Sequence, residues 1–85
     1  MLTTEDSQRR ALLTQLVRFD VERNVDERWY PIASGVEAKS AEQAIAGAAR
    51  YAGTYRARLA DAPEGSVELF RVPAWGQPEF LRRVN

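Results

Sequence analysis

Residues 40–53, SAEQAIAGAARYAG, limit what this chain can fold into more than any other stretch. Ser40 and Gln43 have capping-box spacing and Glu42 puts an acid in the first turn. Ala41, Ala44, Ile45, Ala48, Ala49 and Ala52 then recur at helical spacing on one face. The spacing predicts a helix over about 41–52, with Gly53 as the left-handed residue that ends it. Its apolar face is nearly all alanine, so the helix must lie close on whatever it covers. Ile45 is the one large side chain that fixes the fit, and Tyr51 sits at the margin.

The flanking sequence has strand period. Residues 16–23 (LVRFDVER) set Val17, Phe19 and Val21 against Arg18, Asp20 and Glu22. A polar turn at 24–27 separates them from a second strand at 28–39 (RWYPIASGVEAK), with Tyr30, Ile32, Ser34, Val36 and Ala38 on one face. Pro31 has no amide proton and Gly35 packs nothing, so an edge position or a bulge is expected near one of them. After the helix, residues 54–61 (TYRARLAD) alternate Tyr55, Ala57 and Leu59 with Arg56 and Arg58, which makes one apolar and one basic face. A turn follows at 61–65 (DAPEG), with Pro63 suited to its second position. Residues 66–72 (SVELFRV) form a fourth strand whose apolar face changes sides between Leu69 and Phe70, which requires a bulge or cover on both faces.

The ends are less regular. Thr3 and Asp6 also have capping-box spacing, so residues 1–14 read as a short N-terminal helix or a frayed arm. Residues 73–85 (PAWGQPEFLRRVN), interrupted by Pro73, Gly76 and Pro78, read as an irregular tail with a final helical turn opened by Pro78. The expected fold is a single small α+β domain over 1–85. It is a four-stranded antiparallel sheet in ββαββ order with the alanine-rich helix on one face. Cover for the other face falls to the N-terminal helix and the tail, or to a second copy through a two-fold axis.

Composition narrows the chemistry. There is no cysteine and no histidine, which removes thiolate and imidazole nucleophiles, bases and metal ligands. Twelve basic residues balance twelve acidic ones, so no field of one sign attracts nucleic acid or an anionic membrane. No apolar run approaches the ~20 residues that span a bilayer. Residues 1–6 lack the basic start and apolar core of a signal peptide, and the expected location is cytoplasmic. Asp20 with Glu22, and Asp26 with Glu27, are carboxylate pairs on a strand face and in a turn, where solvated charge is ordinary. There is no glycine-rich phosphate loop, nucleophile elbow or metal-finger spacing. The expectation is therefore a non-enzymatic chain with no cofactor, metal or catalytic residue.

Two surfaces invite binding. Trp29 and Tyr30, beside Pro31, and Trp75 and Phe80, in the tail, are aromatic anchors of the kind that dominate protein interfaces. The alternative for the tryptophans is to cap the open sheet face within the monomer. Arg56, Arg58 and Arg71, with Arg50 and an aromatic such as Tyr30 or Phe70, would make a stacking surface for single-stranded nucleic acid. Glu37 and Glu68 on neighbouring strands are placed to pair with those arginines.

The run GVEAKSAEQAIAGAARYAGTYRARLAD resembles the strand, S-x-E-x-A-I helix and Y-R-x-R strand of many short uncharacterised proteins of actinobacteria and their phages. VEAKSAEQAIAGAARYA and VELFRVPA are also similar in outline to the small non-catalytic B subunit of the phenylacetyl-CoA oxygenase complex, with TYRARLAD added between them. Both resemblances imply an accessory or adaptor role and neither transfers a catalytic residue. The first reading is a protein-interaction module, dimeric or bound to a larger partner. The second is a nucleic-acid-binding or regulatory protein using the Arg56 and Arg58 face.

Overall fold

The expected alternation becomes two long strands, β1 (Val17–Val25) and β2 (Arg28–Ala38), in a computed structural model that describes residues 16–85. The helix or arm expected over 1–14 lies outside the described residues. β1 and β2 are joined by a tight turn in which Asp26 and Glu27 both take positive φ, 53° and 67°. That is the mirror-image turn whose twist suits a hairpin.

The helix, α1 (Ala41–Ala48), starts where capping predicts. The Ser40 hydroxyl accepts from the Gln43 amide at 3.1 Å, and the Gln43 side-chain carbonyl accepts from the Lys39 amide at 2.8 Å. It ends four residues earlier than the expected 52. Ala49 still donates to Ile45 O at 2.8 Å but itself turns extended, at ψ 129°; beyond it Tyr55 donates its hydroxyl to Tyr51 O at 2.6 Å and Arg23 donates to Ala52 O at 2.9 Å. Gly53 is therefore not a helix cap but the first residue of β3 (Gly53–Leu59), at φ 154°.

β4 (Val67–Val72) follows the Pro63 turn, which Gly65 closes by donating to Ala62 O at 2.9 Å. The sheet does not stop at four strands. Glu79–Val84 is a fifth, β5, in place of the irregular tail and final helical turn. All pairings are antiparallel, in the order β2-β1-β3-β4-β5. The alternation in EFLRRV is broken by a bulge where one residue too many faces β4: Leu69 pairs with Arg82 but Phe70 pairs with Phe80. The irregularity expected at Leu69 and Phe70 is real, and Leu81 on β5 is its extra residue. β4 itself alternates without interruption, Phe70 facing Tyr55 and Leu69 facing Arg56.

Because β2 and β3 both pair with β1, α1 crosses over β1 on its way between them. Its Ala41, Ala44 and Ile45 close the core against Phe19, Val21, Ala38, Tyr55, Ala57 and Phe70. Ile45 and Val21 have no exposed surface at all, which the close approach of an alanine-faced helix makes possible. Val67 and Leu69 are buried on the face away from α1.

β2 is less regular than β1. Phe19 pairs with Val36, Val21 with Ala33 and Glu22 with Pro31, so β2 carries one extra residue twice. Gly35, at φ 65°, makes the first offset. The Asp20 carboxylate fastens it, accepting from the Gly35 amide at 3.0 Å and the Ser34 hydroxyl at 3.2 Å. The single β2 face expected from Tyr30 to Ala38 is consequently broken: Val36 and Ala38 face the core while Ser34 turns to Asp20.

Candidate functional site

The face of the sheet opposite α1 carries the arginines that sequence reading singled out. Arg56 Nε donates to Glu22 at 2.7 Å, both side chains about one-quarter exposed, and its guanidinium lies 4.4 Å from the centre of the Trp29 ring. The stack contributes about 0.5–2 kcal/mol at a half-buried position. Arg58 sits opposite Asp20 in register and donates to the Pro63 carbonyl. Arg71 is held by Glu79 at 2.9 Å. Each of the three is engaged within the domain, so the face offers alternating signs in place of a continuous basic track.

The partners differ from those expected. Glu22, not Glu37 or Glu68, answers Arg56: Glu68 holds Arg83 at 2.7 Å and Glu37 lies opposite Arg18 on the far strand pair. Phe70 is buried in the core and Arg50 lies on the α1 side, so neither joins Arg56. The aromatic that stacks is Trp29: the two one-residue offsets in β2 cancel in parity, so Trp29 and Pro31 stay on the outer face while Tyr30, like Val36 and Ala38, lies on the side of Arg23 and α1.

The four aromatic anchors do not form one patch. Trp29 and Tyr30 are on β2, at one edge of the sheet; Phe80 is on β5, at the other, about 19 Å away at the usual strand spacing. Trp75, in the connection that leads into β5, is 91% exposed. That connection is built to present it: Gly76 takes φ 102° and Pro78 is buried where β5 begins. Phe80 meets Phe70 edge to face at 5.5 Å yet stays more than half exposed.

Every residue of β5 is exposed, including Phe80, Leu81 and Val84. Among the described residues no strand pairs with its far side. Sequence reading missed this strand as a surface; the one signal was the pair of adjacent apolar residues, Phe80 and Leu81, beside adjacent arginines at 82 and 83. Among the described residues no group of three or more acidic side chains is placed to hold a metal ion. No helix of the described residues is long and apolar enough to cross a membrane. No protein-family description, curated protein or solved structure matches the chain.

Proposed function

We propose that this chain is a non-enzymatic protein-interaction module that works as a dimer, pairing two copies antiparallel along β5. The observation that carries the reading is the open, fully exposed β5 edge, led by the exposed Trp75. An unpaired strand presents a row of amide and carbonyl groups that a second strand satisfies, and apolar side chains beside them add to the contact. Glu79 lies at one end of β5 and Arg82 and Arg83 at the other, Glu79 and Arg83 each also bonded within the chain, to Arg71 and Glu68. Antiparallel pairing brings the acidic end of each strand to the basic end of its mate. An accessory role in a larger assembly, as the sequence resemblances imply, is compatible with such a dimer.

Light scattering across a concentration series tests the proposal. The parent is expected to approach twice the monomer mass, and Trp75→Ala with Phe80→Asp to remain a monomer. A parent that stays monomeric throughout, or a double variant that associates equally well, removes the reading. Retention on heparin at low salt that Arg56→Glu with Arg58→Glu abolishes would move the function to the outer face instead.

A further inference from the structure

On the α1 side of the sheet, away from β5, a second arginine arrangement has no acidic counterpart among the described residues. Arg23 of β1 lies between two tyrosines, its guanidinium carbon 5.6 Å from the ring centre of Tyr51 and 5.9 Å from that of Tyr55. One terminal nitrogen is spent on Ala52 O. Nε is buried with no acceptor. The approach depends on Gly53, since a Cβ there would stand 3.1 Å from Nε. Beside the guanidinium opens a cavity of about 200 Å³, lined by Arg23, Arg50, Tyr51, Tyr55, Ile32 and Ala48. Among the described residues neither Arg23 nor Arg50 is paired with a carboxylate.

An Nε–H shielded from water and left without an acceptor is unfavourable, and the ring faces beside it offset only part of that. Arg56, likewise partly buried, has the Glu22 carboxylate; Arg23 has only a carbonyl and shares a hollow with Arg50, phenol rings and an aliphatic wall. Arginine presents a planar fork that matches a carboxylate in two-point contact. The apolar wall of Ile32, Ala48 and the tyrosine rings is suited to a flat or aliphatic body. A cavity of ~150 Å³ is enough to hold benzene, so this one takes an acid about the size of benzoate.

We infer that the cavity is a binding site for a small organic acid, its carboxylate held between Arg23 and Arg50 and its apolar body against Ile32 and the tyrosines. The anion supplies the counter-charge that Arg23 lacks, and binding tightens the 49–52 segment that Arg23 and Tyr55 already hold by its carbonyls.

The test is a titration of the full chain followed by the amide signals of Ile32, Ala48 and Tyr51 and the Nε–H signal of Arg23, with three probes: sodium benzoate, neutral benzamide and inorganic phosphate. Benzoate is expected to shift these signals saturably, with benzamide and phosphate at least tenfold weaker. Arg50→Gln, at an exposed position outside the core, is expected to fold like the parent and to weaken benzoate roughly tenfold or more, as loss of a charge-assisted contact does. Absence of saturable shifts with benzoate overturns the assignment. So does benzamide binding as tightly, which would make the hollow merely apolar, phosphate binding as tightly, which would make it a plain anion site, or an Arg50→Gln variant that binds like the parent.

Discussion

The two edges of this sheet are built from opposite materials. β2 spends eleven residues on an edge that carries Pro31, a positive-φ glycine and two register offsets, the first tied down by Asp20. β5 spends six, with no proline, one offset turned toward β4, and Phe80, Leu81 and Val84 in the open. Proline and bulges are how edge strands avoid pairing with other chains. β2 has those devices. β5 carries one bulge and the charges of Glu79, Arg82 and Arg83 but no proline, and its apolar side chains stand in the open, which is why the proposed pairing is assigned to it.

Both edges rest on the same core, and the strongest way to break the comparison is to remove it. Ile45→Ala should cost about 2–4 kcal/mol in a urea melt, because a fully buried side chain leaves a hole under a helix whose other core residues are alanines. A neutral result would mean that α1 does not hold the sheet. Next in size is Asp20→Ala, which leaves the Gly35 amide and the Ser34 hydroxyl without their acceptor. A loss of about 1–3 kcal/mol is expected, together with faster amide exchange confined to 33–36. Exchange that rose equally along β5 would contradict the assignment of Asp20 to the β2 edge.

Much of this fold was legible in the residues, and the failures share a cause. Strands β1, β3 and β4 follow from two-residue alternation, and the helix start from Ser40 and Gln43, because those signals are local. The position of Trp29 over Arg56 was not legible. Its face follows a straight count from Ala38, because the two extra residues in β2 cancel in parity, but the same two residues slide Trp29 along β1 and set which side chain it meets. β5 was hidden in the same way, since the extra Leu81 destroys the alternation that would have marked a strand. The end of α1 escaped for a different reason: Ala49 turns extended although alanine favours helix, and the segment after it is held by Tyr55 and by Arg23, which is 29 positions from Ala52 in sequence, contacts that a propensity rule does not contain.

Two smaller changes sharpen the contrast between the edges. Glu27 holds a left-handed conformation at the turn feeding β2, and Glu27→Gly should stabilise the domain by about 0.5–1 kcal/mol in thermal melts by relieving it. A destabilised variant would show that the Glu27 side chain has a role the turn geometry does not reveal. Pro31→Val restores an amide donor to β2 and should alter stability by less than about 0.5 kcal/mol. Its effect should instead be a second mode of association at high concentration, seen by sedimentation. If it adds none, proline is not what closes that edge.

The most direct test of the central claim is amide hydrogen exchange measured on both edges across a concentration series. The account predicts that amides within 79–84 gain protection as concentration rises while those of 28–33 do not change. Protection that grew on β2 and not on β5, or association with no change at β5, would contradict it.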